Sequence, residues 1–428
     1  MKGTKVLAAV LAVAGMSFGT TAQARESESC SGAVTRSDVV RCALAASLVV
    51  RGEEQGLDAA RARKTAASPL LPSNPVLSFS AARRSVAEAN ATNWYASLNQ
   101  EVEIAGQRGI RREAAEAAAS AQSQRVLLSR RETAALASAA FFEALAAREE
   151  QRLAEQLVVT SEAVATAARA RAERGLSAAI DADVADAATV RVLQARLAAE
   201  RRVSHAGATL ALLLGLDPSR PAPAVEGDLA PLPEVVNAGS VVSPRARSER
   251  PELRVVEAER RSLELRAAAL RRARIPNPTL SIYAQNDGFD ERVLGAGIGF
   301  PIPLPGNVGR TARGEIAEAE AQAARTGTDR ERLEREIRFE ATTARQAFES
   351  RGTEVLAFTA ERLERARTSL RSLSEEVQSG RLAVRDAAVA QQVLIELLRA
   401  SIEARRAWCL ASVDLARALG LPLERGAR

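Results

Sequence analysis

The heptapeptide Gly175-Leu176-Ser177-Ala178-Ala179-Ile180-Asp181 constrains this chain more than any other stretch. It interrupts more than a hundred residues of Ala-, Arg- and Glu-rich sequence that otherwise read as one helix. Between Gln107 and Arg174 there is no proline, and the only glycine is Gly109, near the start. Helical sequence then resumes and continues to about Leu214. The pattern predicts two long antiparallel helices folded back at one tip. Glycine supplies the positive φ that ends a helix sharply, and Asp181 opens the return helix, where the dipole favours a negative charge. A second tip, Gly380-Arg381-Leu382-Ala383-Val384-Arg385-Asp386, has the same spacing from Gly to Asp.

The tips belong to a longer internal repeat. Asn74-Pro75 and Asn277-Pro278 lie 203 residues apart, and Gly106 and Gly109 match Gly306 and Gly309 at 200. Gly175, Asp181 and Gly215 match Gly380, Asp386 and Gly420 at 205. Landmarks of different type in near-constant register mark a duplicated unit of helix, strand, strand, long helix, tip and return helix. The first copy spans 25–216, with strands at about 74–103 and a hairpin over 107–214. The second spans 249–423, with strands at about 277–302 and a hairpin over 309–420, followed by a tail at 424–428. Between the copies, 217–248 is rich in proline and reads as an extended linker.

Residues 1–24 read as a signal peptide: Lys2 and Lys5, an apolar run from Val6 to Phe18, then Ala22-Gln23-Ala24 as a cleavage site. Export permits disulfides. Cys30 and Cys42 either pair or stay free, with Cys42 on an apolar helix face; Cys409 reads as core. Aromatic residues make up 3% and charged residues 26%, which fits long helices packed through small residues. The net charge is only +6, and no basic patch is interleaved with aromatics, which argues against nucleic acid as a partner.

Each copy carries two period-2 segments. The first helix, from about Ser37 as N-cap to Ala67, leads to a strand with Leu77, Phe79 and Ala81 on one face. A polar stretch, Arg83 to Asn93, then leads to a strand with Trp94, Ala96 and Leu98 on one face. In the second copy Leu280, Ile282, Ile298 and Phe300 play the same part, joined through a loop at Asn286-Asp287-Gly288. The opposite faces carry Ser, Thr, Asn, Gln or Gly. About ten residues is the length of a tilted membrane strand, so Phe79, Trp94, Leu98, Ile282 and Phe300 are expected to face lipid. Four strands cannot close a barrel, and open edges are not tolerated in lipid. The chain is therefore expected to oligomerise; an ordinary two-sided sheet against the helices is the alternative.

In the second long helix, Leu333, Ile337, Ala341, Ala344 and Phe348, then Leu363, Ala366, Leu370, Leu373 and Val377, recur at steps of three and four. This is a coiled-coil seam, with a change of supercoiling expected near Gly352. No catalytic constellation accompanies it. The lone His205 has no Cys or Met ligands nearby, and no phosphate-binding or dinucleotide-binding glycine pattern occurs. No catalytic, cofactor or metal residue is assigned. At the tips, capping alone accounts for Gly175 and Gly380, and dipole compensation for Asp181 and Asp386. Repeated around a symmetry axis with the tips converging, the two aspartates would form a cation-selective gate.

The duplicated plan, the Asn-Pro strands at 74 and 277 and the Gly-to-Asp tips resemble the TolC-like outer-membrane efflux factors over essentially the whole mature chain. Gln100-Glu101-Val102-Glu103-Ile104-Ala105-Gly106-Gln107-Arg108 looks like the strand-to-helix junction of the cobalt–zinc–cadmium subgroup. The resemblance implies a mainly α fold with a membrane β-barrel contribution: a homotrimer whose barrel continues as an α-helical coiled-coil tunnel. It places the chain in the outer membrane, extending into the periplasm, without enzymatic activity. It implies a passive exit duct of a tripartite efflux system of RND type (for heavy metals or drugs), or of a secretion system. Partners are a periplasmic adaptor, an inner-membrane pump and outer-membrane lipid. Family tip residues carry over to Gly175, Leu176, Ser177, Gly380 and Arg381 for docking, and to Asp181 and Asp386 for the gate. A further family aspartate is replaced here by Val389. A periplasmic adaptor and a structural coiled coil of the envelope are the competing readings; an adaptor would show one hairpin flanked by Gly-rich β domains.

Overall fold

The computed structural model describes residues 30, 32–86, 89–217, 221–237, 250–286, 291–302, 304 and 312–423. The signal-peptide stretch, Asp287-Gly288, Gly306 and Gly309, part of the linker and the tail at 424–428 lie outside the described residues.

Helices α1 (Arg36–Ala46) and α2 (Leu48–Ala66) precede strands β1 (Val76–Val86) and β2 (Ala89–Glu101). The long α3 (Gln107–Glu173) and its return α4 (Ala179–Leu213) complete the first copy. A short α5 (Pro233–Asn237) lies in the linker. The second copy is α6 (Pro251–Ala273), β3 (Thr279–Asn286), β4 (Arg292–Gly299), α7 (Arg313–Leu356), α8 (Ala360–Gln378) and α9 (Val384–Leu419). The 67 residues of α3 correspond to a rod of about 100 Å at 1.5 Å per residue. Around it pack α4, α6, α2, α9, α8 and α1.

The repeat extends to hydrogen bonding. Gly175, Gly215, Gly380 and Gly420 all have φ between 65° and 76°. At each, the amide after the glycine donates back to a carbonyl five residues earlier: Leu176 to Arg171, Leu216 to Ala211, Arg381 to Glu376, Leu421 to Ala416. These are Schellman closures, and both tips and both hairpin ends use them.

Four expectations need correction. The first helix is two helices: Thr35, not Ser37, is the N-cap, in a capping box with Asp38, and Ser47 breaks the run to cap α2 through Val50 N–H at 3.3 Å. Serine satisfies orphan amides better as a cap than in a helix interior. The polar stretch Arg83 to Asn93 is largely strand, because backbone pairing, with Arg83 opposite Thr92 and Ala82 opposite Asn93, needs no apolar side chains. The linker is not merely extended: Val225 bridges in parallel to Val34, and Leu229, Leu232 and Val235 are buried. Near Gly352 the change goes beyond supercoiling, since α7 ends at Leu356 and α8 starts afresh on the Thr359 cap. Gly352 itself faces α9, where an added Cβ would lie 3.2 Å from Trp408 Nε1. That indole stacks on Phe348 at 5.8 Å.

Two apolar cores run along the bundle. One joins Val34, Val39, Phe141, Leu210, Leu232 and Cys409. The other, toward the tips, joins Leu157, Val164, Val192, Leu373, Val377 and Leu398. The predicted seam supplies both: Ile337, Ala341, Ala366, Leu370, Leu373 and Val377 are buried, and the remaining seam residues are half-buried. Cys30 and Cys42 form a disulfide that ties the chain before Val34 to α1. Cys409 is fully buried, and burial pushes its thiol up to about 12, so it offers no thiolate nucleophile.

Candidate functional site

The two tips are adjacent, and one arginine joins them. Arg171, in the last turn of α3, donates to the Gln378 carbonyl of the second tip at 3.4 Å and to the Leu176 carbonyl of its own at 3.3 Å. Its guanidinium lies against Gly380, where a Cβ would sit 2.7 Å from Nη1. The corresponding place in the second copy is Glu376, which instead pairs with Arg381 of its own tip at 2.9 Å. Gly175, Leu176, Gly380 and Arg381 are exposed, and Ser177 and Asp181 half-buried. Asp386 is exposed at the start of α9, and Val389 beyond it is 60% exposed. Arg171 escaped the sequence reading; its only signal was its place four residues before the tip glycine.

At the other end the strands form one antiparallel sheet in the order β1-β2-β3-β4. The register aligns Leu77, Leu98, Ile282 and Ala296 in one rung. The next rung toward the hairpin turns is Phe79, Ala96, Ala284 and Leu294, and the one after it Ala81, Trp94, Asn286 and Arg292. The apolar residues predicted for one face therefore share it. Leu77, Phe79, Ile282 and Phe300 are well exposed, Leu98 lies at 40%, and Trp94 is half-buried. The other face carries Ser78, Ser97, Asn99, Ser281 and Gln285 together with Val76, Val293 and the pair Tyr95 and Tyr283, stacked at 5.8 Å, with Tyr283 covering Gly295.

Where sheet meets helix, the Asn of the second Asn-Pro landmark is a hydrogen-bond hub. Asn277 donates to Glu101 Oε1 at 2.8 Å and accepts from Gln107 Nε2 at 2.8 Å. Buried Gln107 also accepts from Ala105 N–H at 2.9 Å, next to Gly106 with φ 71°. Arg111 pairs with Glu103, and Arg108 and Arg272 donate to the Ser68 and Ala105 carbonyls at 3.0 and 2.6 Å. This hub fixes where β2 hands over to α3 and where α6 hands over to β3.

Midway along the bundle, exposed His205 borders a groove of opposite charges between α3, α4 and α9. Arg202 pairs with Glu150, and Arg406 bridges Glu143 and Glu403. The hydrogen bond from Arg406 holds the Glu403 carboxyl below its usual range. Among the described residues no group of three or more His, Cys, Asp or Glu side chains is placed to hold a metal ion. No described helix is long and apolar enough to cross a membrane.

A four-stranded sheet with one apolar face, set at one end of two joined helical hairpins, defines a class of fold. Solved structures of that class match. CusC, described through its folding and transmembrane channel formation, superposes with a TM-score of 0.75 at 15% identity, covering 92% of this chain and 94% of its own. VceC of Vibrio cholerae, an outer membrane protein, gives 0.68 at 18%, covering 91% and 97%. The open state of the MtrE outer membrane channel of Neisseria gonorrhoeae gives 0.67 at 18%, covering 91% and 90%. Among curated proteins no sequence match is found. The family described as outer membrane efflux protein matches residues 14–216, which takes in the first copy of the repeat. Over those residues the chain is similar to that family, and over nearly its whole length it shares the fold of these solved structures.

Proposed function

We propose that three copies of this chain form one passive exit duct of a tripartite efflux system, the β-sheets closing a single barrel and the hairpins continuing it as a periplasmic tunnel. The observation that carries the reading is the sheet: four strands, one apolar face, and two open edges, β1 and β4. In lipid both edges must pair, and another copy of the same sheet supplies complementary edges. Energy and cargo choice belong to an inner-membrane pump of RND type, exporting heavy metals or drugs, to which a periplasmic adaptor couples the duct. Gly175, Leu176, Ser177, Gly380 and Arg381, mostly exposed at the adjacent tips, form the adaptor's docking surface. Asp181 and Asp386 of three protomers narrow the tunnel mouth and favour cations.

Detergent extraction from outer membranes followed by sedimentation tests the assembly: a trimer is expected, and a soluble periplasmic monomer would overturn it. In planar bilayers, Asp386→Ala is expected to weaken blockade by multivalent cations. Unchanged blockade removes Asp386 from the gate.

A further inference from the structure

The apolar face of the sheet is too short for the membrane it must cross. Its outer limit is the rung Ala81-Trp94-Asn286-Arg292, beyond which the same face carries Arg83 and Thr92. Its inner limit is the rung of Gln100, Leu280 and Ile298. Six residues of β2 separate the two, which at about 3.3 Å per residue and a tilt near 40° is roughly 15 Å of membrane depth. The outward apolar band of a membrane barrel is about 25 Å tall. About 10 Å is missing, and the polar outer limit places the shortfall on the helix side.

The four crossings between sheet and helix supply it. Beyond β4, the alternation Leu294-Ala296-Ile298 continues in sequence through Phe300, Ile302 and Leu304, with prolines between. Proline holds φ near that of extended chain but cannot donate to the sheet, so the segment runs on without pairing as a strand. Phe300, Ile302 and Leu304 are 56%, 82% and 51% exposed. From the outer limit at Arg292 to Ile302 the same rise and tilt give about 25 Å. Ile104 after β2, Ile275 before β3, and Leu70 and Leu71 before β1 are exposed as well. Around and just beyond Ile104 and Ile275, residues 102–113 and 271–276 carry six arginines against two glutamates. Of these, Arg112, Arg271, Arg272 and Arg274 are exposed.

We infer that the inner leaflet of the outer membrane covers this collar. Phospholipid acyl chains contact Ile302, Leu304, Ile104 and Leu70, and anionic headgroups lie on the arginine rim. The membrane boundary thus falls below the sheet, on the first residues of the tunnel. Continuity with the lipid-facing rungs, the missing depth and the sign of the rim charge all point to the same occupant. The inference rests on the duct reading, and the experiment separates the two.

In a Trp94→Phe, Trp408→Phe background, Ile302→Trp and Phe79→Trp variants are reconstituted into phosphatidylcholine vesicles with brominated acyl chains. Bromine quenches only tryptophans within contact of the chains. Quenching at both positions, at least two-fold over plain vesicles, is expected. Quenching at position 79 but not 302 overturns the collar and leaves the duct standing; this includes the case in which a neighbouring copy covers Ile302. Quenching at neither overturns both. Adding phosphatidylglycerol to the vesicles is expected to raise the inserted fraction of the native chain and to raise it less for Arg274→Ser; equal gains remove the arginine from the rim.

Discussion

The two copies of the repeat reach nearly the same length by different means. In the first, α3 runs unbroken through 67 residues; in the second, α7 of 44 and α8 of 19 are separated by three residues, 357–359. The second rod thus covers residues 313–378, one residue short of its counterpart. Rod length is held while continuity is not, as expected if the span between sheet and tip is what matters. The copies also start differently. The first is fastened by the Cys30–Cys42 disulfide and the Thr35 capping box. The second begins at Arg250, 4% exposed, which pairs with Glu252 at 2.8 Å and Glu340 at 3.1 Å and donates to the Ala418 carbonyl at 3.2 Å. A covalent fastening stands opposite an ionic one.

The disulfide should show the larger effect. Its cysteines are 12 residues apart, and closing a loop of that size is worth about 3 kcal/mol in the chain-entropy description. Cys30→Ala with Cys42→Ala is expected to lower the stability of the α1 region by that order, read as lost hydrogen-exchange protection in α1 and at Val34. Reduction of the native chain should reproduce the loss; full protection under reduction would make the first fastening redundant. Arg250→Met comes next. Removing one partner of a buried ion pair costs about 3–5 kcal/mol. Because Glu252 and Glu340 keep 22% and 33% exposure, about 2–3 kcal/mol is expected in denaturant unfolding. No loss would mean that the second copy is held by apolar packing alone.

A third difference lies at the tips, where Arg171 of the first copy reaches across to the second while Glu376 turns back on its own. Its two hydrogen bonds, 3.4 and 3.3 Å, are long and half-exposed. Arg171→Ala is expected to cost only about 1 kcal/mol, yet to raise open probability in planar bilayers. Glu376→Ala should leave gating nearly unchanged. Equal effects from both variants would abolish the asymmetry.

How much of this could be read from sequence depends on the kind of signal. The hairpins and their ends were legible to within a few residues, because glycine at positive φ and aspartate at a helix start are local necessities. The common face of Leu77, Leu98 and Ile282 was legible for the same reason, through a period of two. The break at Thr359 was not, since it contains neither glycine nor proline and is signalled only by a capping threonine. The outer ends of β1 and β2 show only as a polar stretch in sequence, because their rungs are polar and held by backbone pairing. The Arg171 contact was invisible: it joins residues 207 positions apart, and no local pattern records which carbonyl a guanidinium will meet.

The smallest effect concerns acid. The Asp38 carboxyl accepts from the Thr35 hydroxyl at 2.6 Å and the Thr35 N–H at 3.2 Å. These bonds, the hydroxyl's first, hold it below its ordinary value of 3.8. A carboxyl lowered on folding contributes stability that is fully present above the unfolded value and is lost as pH falls through the folded one. The start of α1 should therefore fray below about pH 3.8, seen as faster amide exchange at Asp38 and Val39. Asp38→Asn should fray to a similar degree at neutral pH and lose the acid dependence. Loss of the whole capping interaction is worth about 1 kcal/mol, so with the disulfide intact the helix frays without leaving the core. Acid exchange that is unchanged in Asp38→Asn would assign the pH response elsewhere. The second copy provides the reference: burial, the largest effect on Glu252, pushes its carboxyl up, but the hydrogen bond and charge of Arg250, a backbone hydrogen bond and the charge of Arg131 together hold it below its ordinary value. Its response to acid should shrink in Arg250→Met, whereas that of Asp38 should persist.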